Sequence, residues 1–438
     1  MEFGLERIEG LLQHIGRPHD RLRAIHVAGT NGKGSVCAFV AQVLLQAGYS
    51  VGRFNSPHLV SPNDTIQING QPISLDLYTS TMAQMTQRDQ QHGVGASSFE
   101  QLVAAAFYLF DQHNLDFVVV EVGLGGLLDA TNVLTAPVMT IITMLGFDHV
   151  AILGGTMPEI AAAKGGIIKP FCPLVVAPQP DPIATQSLVT LAQERKAPYF
   201  LMEQARVTMD TTAPSCSDNS IDQRFHLEGS PPSGPVSIDY AVRLQGDYQK
   251  ENSATAMVAL LWLRQLGVVA VDDATLYQGM LQTRWPGRLD WFPLTDPSLC
   301  FDQILVDGAH NDSACLALRA YVDQTMCRLA RSRVLWIIGI TQGKTVDAMI
   351  STLAAKDDCI LTVPFSQPES MPWISCVDPQ VLADTANTHS PPRAVAHASL
   401  ANALASASNI YTPGKDLVVL CGSLYLVADL YRLFPSLS

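Results

Sequence analysis

The sequence predicts an α/β protein with doubly wound parallel sheets in two domains, the larger one N-terminal. Three observations lead there. Short apolar runs recur without the polar alternation of a half-exposed strand, the mark of strands buried on both faces. Helical stretches sit between many of these runs. The string Trp285-Pro286-Gly287-Arg288 then breaks the rhythm with a Pro-Gly stop, which sets the domains as 1–287 and 288–438.

In chain order, Ala24–Ala28 reads as a strand and Ser35–Gln46 as the helix after it. Phe99–Gln112 reads as a helix, and Phe117–Val122, Val138–Met144 and Leu174–Ala177 as strands. Residues 208–235, with Thr211-Thr212-Ala213-Pro214-Ser215 and Gly229-Ser230-Pro231-Pro232-Ser233-Gly234, read as loops around short antiparallel strands within the first domain. Ser253–Leu266 is helical. Beyond residue 288 the strands are Ile304–Val306, Val334–Ile338, Ile360–Val363 and Leu417–Leu420, with a helix at Ala314–Ala330.

Composition removes several classes of function. With 27 Lys+Arg against 40 Asp+Glu, the formal charge is −13, which argues against non-specific nucleic-acid binding. The 47% hydrophobic content and 15% charge exclude a disordered or coiled-coil chain. The nine cysteines form no CxxC pair, so neither a disulfide framework nor a zinc ribbon is expected. No apolar run approaches the roughly 20 residues of a membrane span. The opening Met1-Glu2-Phe3-Gly4-Leu5-Glu6-Arg7 lacks a basic n-region, so no cleaved signal is expected and the location expected is cytoplasmic.

The strand Ala24–Ala28 runs into Gly29-Thr30-Asn31-Gly32-Lys33-Gly34-Ser35 and then a helix, the context of a phosphate-binding loop. Glycines let the backbone approach an anion at the helix N-terminus. Lys33 reaches terminal phosphates, and the Ser35 hydroxyl is placed for Mg²⁺. The spacing is a variant, because Gly34 separates Lys33 from Ser35. The plain alternative is a tight turn with a solvated lysine. The cluster Gly123-Leu124-Gly125-Gly126 is no dinucleotide fingerprint, since Leu128 stands where a third glycine would fall; this disfavours hydride transfer.

Glu121 interrupts the apolar run Val118–Val122, where a carboxylate is costly unless paired or bound to metal. Mg²⁺ binding is one reading, and a buried pair with Lys33 the other. His149, after Asp148 at the matching end of another strand, is a candidate ligand for a second metal. Lys164 and Lys169 flank a short Gly-Gly-Ile-Ile segment, and a lysine there could bind phosphates or be modified.

Together these strings resemble the folylpolyglutamate synthase/dihydrofolate synthase family of the Mur ligase superfamily. The resemblance rests on His26–Ser35, Ser56-Pro57-His58-Leu59 with Ile68-Asn69-Gly70, Glu121–Gly126 with Asp129-Ala130-Thr131-Asn132, and Asp148-His149 with Ile160–Lys164. Pro286–Leu289, Asp307–Asn311 and Gly422–Val427 complete the order. It implies an ATPase domain followed by a Rossmann-like ligase domain. It implies an ATP-dependent ligase that adds L-glutamate to dihydropteroate, to the γ-carboxyl of a folate, or to both, through an acyl phosphate.

By the same resemblance, Gly29, Thr30, Asn31, Gly32, Lys33, Gly34, Ser35, Asn252, Arg288 and Asp307 bind ATP. Ser35 or Ser56, Glu121 and His149 hold Mg²⁺, Lys164 joins them if carbamylated, and a second Mg²⁺ is a further expectation. Arg288 and His310 contact phosphate and join Lys33 and Lys164 in catalysis, with a hinge expected near 288. Phe99, Asp129 and Ala130 line the pterin pocket. The family is mostly monomeric. Departures stand at Leu127, where an Arg is usual, at Thr65, at Gly165 and at Gln342–Thr345. The readings weighed against this one are a Mur-type ligase for a non-folate acid and a nucleotide-binding regulator without turnover.

Overall fold

The structure is a computed structural model and describes residues 4–210, 222–368, 374–388 and 393–435. The string Thr211–Ser215 and Cys216 lie outside the described residues. Contacts divide the described chain into two compact units. The first takes the chain up to residue 210, Asp222–Arg243 and Tyr248–Arg284. The second takes Leu244–Asp247 and the chain from Trp285 onward. No helix among the described residues is long and apolar enough to cross a membrane.

The first unit is organised by eight strands: β1 (Ala24–Ala28), β2 (Val51–Phe54), β3 (Ile66–Ile68), β4 (Gln71–Pro72), β5 (Phe117–Glu121), β6 (Met139–Ile142), β7 (Leu174–Val176) and β8 (Tyr199–Leu201). They form one sheet in the order β4-β3-β2-β5-β1-β6-β7-β8. From β2 to β8 the pairing is parallel; β3 and β4 add an antiparallel edge. Every residue of β1, β5, β6 and β7 is buried, which is why these runs carry no alternation. One core cluster gathers Phe54, Phe107, Phe110, Val118 and Val120, and another gathers Ile142, Ile160, Ile167 and Leu188. The strands β9 (Arg206–Met209), β10 (Gln223–Gly229) and β11 (Val236–Val242) form a separate antiparallel sheet, in the region read as broken by short antiparallel strands.

The second unit carries β12 (Asp290–Pro293), β13 (Gln303–Val306), β14 (Arg333–Ile338), β15 (Cys359–Thr362), β16 (Arg393–Ala396) and β17 (Asp416–Cys421). Their order is β12-β13-β17-β14-β15-β16, parallel except for β12. Asp358 ties this unit together. Its buried carboxylate accepts from the N–H groups of Val334 and Ala355, the Trp336 indole and Arg319.

The helix Lys33–Gln46 starts two residues before the expected Ser35. Its stretch Ser35–Ala41, with Val43 and Leu44, is buried between β-strands and the helices Tyr248–Gln265 and Asp273–Gln282. Its crossing with Asp273–Gln282 is close enough that Gly279 has no room for a side chain. A Cβ there would lie 2.7 Å from the Val43 Cα, and backbone does not rotate away. Gly279→Ala should therefore destabilise the protein. The overpacking cost of about 1–3 kcal/mol exceeds the gain of up to about 1 kcal/mol in helix propensity. A denaturant titration that shows higher stability would contradict this close packing.

Candidate active site

The site begins where adjacent strands end. Val27 of β1 pairs with Glu121 of β5, and Ala28 pairs with Ile142 of β6, so Gly29, Glu121 and Thr143 emerge side by side at the C-terminal edge of the sheet. That edge is the usual ligand crevice of an open α/β sheet. Gly29 has φ +149, and a Cβ there would collide with the Thr143 hydroxyl. Gly32 has φ +94, and a Cβ there would collide with the Asn252 amide oxygen. Both glycines are thus required by local geometry. The Thr30 N–H donates to the Met144 carbonyl at 2.9 Å and that of Asn31 at 3.2 Å, while Thr30 Oγ1 donates to the Gly146 carbonyl at 3.1 Å. These bonds pin the loop to the segment after β6.

Two lysines converge on one carbonyl. Lys33 Nζ donates to the oxygens of Gly29 and Thr30, each at 3.2 Å, and lies 3.8 Å from Glu121 Oε1. Lys164 Nζ, from the helix Met157–Gly165, donates to the same Gly29 oxygen at 2.9 Å. Lys164 is 4% exposed. Burial, reinforced by the Lys33 charge, lowers its ammonium to about 7. Glu121 is buried and accepts from Asn55 Nδ2 at 2.7 Å. Ser56 follows Asn55 directly after β2, at the same edge of the sheet.

The helix Tyr248–Gln265 clasps the loop from its other side. Gln249 Nε2 donates to Ser35 Oγ at 3.3 Å, and Asn252 Nδ2 donates to Gln249 Oε1 at 3.2 Å. His149 has φ +52, its side chain is 54% exposed, and its imidazole pairs with Asp148 at 3.7 Å. Among the described residues no three His, Cys, Asp or Glu side chains gather into a metal cluster. The oxygen donors at the loop, the Glu121 carboxylate and the Ser35 hydroxyl, still suit Mg²⁺. That ion binds through one or two carboxylates and completes its shell with water and substrate phosphate.

Of the expected pterin residues, Asp129 and Ala130 lie on the neighbouring loop after β5, and Phe99 on the helix before it. The Phe99 ring, at the first turn of the helix Ser98–Gln112, packs on Gly123 so closely that no Cβ fits there. Asp129 is buried, which raises its carboxyl above the usual range. It is held by donors from its own loop: Leu124 N–H at 2.8 Å, Thr131 N–H at 3.0 Å and Thr131 Oγ1 at 2.5 Å. Ala130 is buried beside it. A cavity of about 540 Å³ adjoins this loop, lined in part by Leu127, Leu128, Asn132, Lys169 and Arg195. Thus Leu127, one of the departures read in the sequence, lines a cavity together with the cations Lys169 and Arg195.

The second unit gathers its own three residues. Asp307, just after β13, accepts from Leu289 N–H and Ala309 N–H, both at 2.8 Å. Arg288 Nη1 donates to the Gly287 carbonyl at 3.0 Å, and His310 Nδ1 meets the Gly308 carbonyl at 2.8 Å. Tyr431 braces this loop: its hydroxyl accepts from Gly287 N–H at 2.9 Å and donates to Asp290 at 2.5 Å. Sequence reasoning missed Asn55, Gln249 and Tyr431. The one local signal was the adjacency of Asn55 to the Ser56-Pro57 string.

The family model of the Mur ligase middle domain matches residues 27–260, and that of the dihydrofolate synthetase C-terminal domain matches residues 299–433. A probable dihydrofolate synthetase of Schizosaccharomyces pombe is 33% identical over 99% of this chain and 98% of its own length. The chain belongs to the dihydrofolate synthase/folylpolyglutamate synthase family. A dihydrofolate synthase/folylpolyglutamate synthase of Bacillus subtilis is 32% identical over 98% of this chain and 94% of its own. Among solved structures of the family, the Mycobacterium tuberculosis folylpolyglutamate synthase complexed with ADP superposes with a TM-score of 0.82 at 27% identity, covering 98% of this chain and 94% of that one. Escherichia coli FolC in complex with DHPP and ADP superposes with a TM-score of 0.80 at 26% identity, covering 100% of this chain and 94% of that one. The family's α/β architecture, with an N-terminal ATPase domain, is therefore the architecture of this chain.

Lys164 gives a pH-dependent prediction. Its value in the folded protein lies below the unfolded one of about 10.4, so the unfolded chain binds the extra proton between the two. Folding is penalised in that window, and the penalty is complete below about 7. Lys164→Met should therefore stabilise the protein more at pH 6 than at pH 9.5, by a difference of about 3 kcal/mol. A pH-independent effect in urea titrations would rule out a charge-penalised lysine.

Proposed function

We propose that this chain is an ATP-dependent ligase that joins L-glutamate to dihydropteroate, to the γ-carboxyl of a folate, or to both. The convergence of Lys33, Lys164 and Glu121 at the Gly29–Ser35 loop carries the reading. Residues 1–287 are proposed as the ATP-binding part and 288–438 as the glutamate-ligase part. The enzyme is proposed to act as a cytoplasmic monomer, without nucleic acid or membrane.

The chemistry needs an activated carboxylate. A carboxylate oxygen of the acceptor attacks the γ-phosphorus of ATP, the bond to the β-bridging oxygen breaks, and ADP leaves. The amine of glutamate then attacks the acyl phosphate carbon, loses a proton, and phosphate departs as the amide forms. Such a transfer depends on positioning and charge neutralisation more than on covalent help from the protein. Lys33 supplies a fixed ammonium at the loop. Arg288 and His310 are proposed as the second unit's phosphate-contacting groups, with Asp307 holding their loop in shape. Asn252 is proposed to contact ATP while it closes over Gly32.

Mg²⁺, when bound, neutralises phosphate charge. Ser35, Ser56 and Glu121 are the residues proposed to hold it, with His149 and a carbamylated Lys164 proposed for a second ion. A lysine that is largely buried beside another lysine is poorly placed as a cation. Carbamylation of its neutral amine by CO₂ would turn it into an oxygen donor and remove the repulsion. Phe99, Ala130 and the Asp129-clasped loop are proposed to receive the pterin.

A mass-resolved product assay tests the activity. With ATP, Mg²⁺ and glutamate, dihydropteroate, tetrahydrofolate or both should gain one glutamate residue. ADP formation without an adduct from either acceptor would contradict the reading. Lys164→Ala should lose activity by about hundredfold or more, the scale of removing one preorganised charge-stabilising group, and acetate should restore part of it. Full activity of that variant would end the carbamate proposal.

A further inference from the structure

His26 lies in the middle of β1, fully buried, and the chemistry above does not use it. Its Nε2 lies 2.9 Å from Thr131 Oγ1, which in turn donates to Asp129 Oδ1 at 2.5 Å. A hydroxyl has one proton. Since that of Thr131 is given to the carboxylate, its lone pair must accept from His26 Nε2–H. The imidazole is therefore the Nε2–H tautomer, and its Nδ1 has no partner among the described residues. Burial and the Lys169 charge hold the ring neutral, with its value lowered to about 3. Each link has one polarity: imidazole to hydroxyl, hydroxyl to carboxylate.

We infer that His26 and Thr131 are positioning residues for the acceptor substrate, acting through Asp129 to hold the loop 123–131 in its binding shape. The inference rests on the proposed role of that loop in receiving the pterin. These bonds tie the strand that leads into the phosphate loop to the loop that would hold the acceptor. One rigid strand thus sets the place of both substrates. With one donor removed, the Asp129 carboxylate turns, and the loop loses its register against Phe99.

Steady-state kinetics with dihydropteroate and ATP varied separately tests this. Thr131→Val and His26→Phe should each raise KM for dihydropteroate by about tenfold, the scale of one lost charge-linked hydrogen bond, with KM for ATP within about twofold. His26→Gln, which keeps an N–H donor, should recover most of the loss. Thr131→Val added to Asp129→Ala should raise KM no further. A merely structural role would lower the active fraction and leave the ratio of the two KM values unchanged, which would overturn the inference. If Asp129→Ala itself leaves KM for dihydropteroate unchanged, the reading of the loop fails and the inference with it. If Asp129→Ala raises it but Thr131→Val and His26→Phe do not, the loop reading stands and the inference alone is overturned.

Discussion

The Gly29 carbonyl is the point on which the site depends. It accepts from Lys33 and from Lys164, two cations that no surface would place together. The backbone at Gly29 can present its oxygen in this way because the residue has no side chain to meet Thr143. Like charges at one acceptor cost free energy, and the cost falls on the lysine that is more deeply buried. Glu121 offsets part of the Lys33 charge across 3.8 Å. Such an arrangement is poor for stability and suited to receiving an anion, a familiar signature of a functional site.

The rest of the first unit serves to hold that point still. Parallel strands buried on both faces fix the register that sets Gly29 beside Glu121. The helix after the loop is buried against two others, so its N-terminus cannot drift. Amides from distant parts of the chain, Asn55 and Gln249, complete the support by holding the Glu121 carboxylate and the Ser35 hydroxyl. The second unit follows a similar rule on its own sheet. There Asp307 spans two backbone N–H groups, one on each side of the crossing between the Arg288 and His310 loops.

Much of this was legible in the sequence, and the exceptions have physical reasons. The fully buried strands β1, β5, β6, β7 and β17 stood out as apolar runs, because no face of theirs meets water. The edge strands β4, β12 and β16, and β3 next to an edge, did not, being short and of mixed polarity. The phosphate loop was visible through its glycines, although the helix begins at Lys33 rather than Ser35. Asn55 and Gln249 were not visible, since their partners lie 66 and 214 residues away and an isolated amide carries no spacing signal. The depression of Lys164 was equally hidden: it comes from burial and from the charge of Lys33, at a site shared with Gly29, 135 residues distant. His149 shows the opposite limit, a residue marked by its motif whose ring lies largely in solvent.

The most direct test is a site-resolved NMR titration of the Lys164 ammonium in the metal-free, CO₂-free protein, with the Lys164→Arg variant used to assign the signal. Convergence on Gly29 predicts a midpoint near 7. A midpoint near the ordinary lysine value of about 10.4 would mean that Lys164 is solvated, and that the shared carbonyl is not the organising feature of the site.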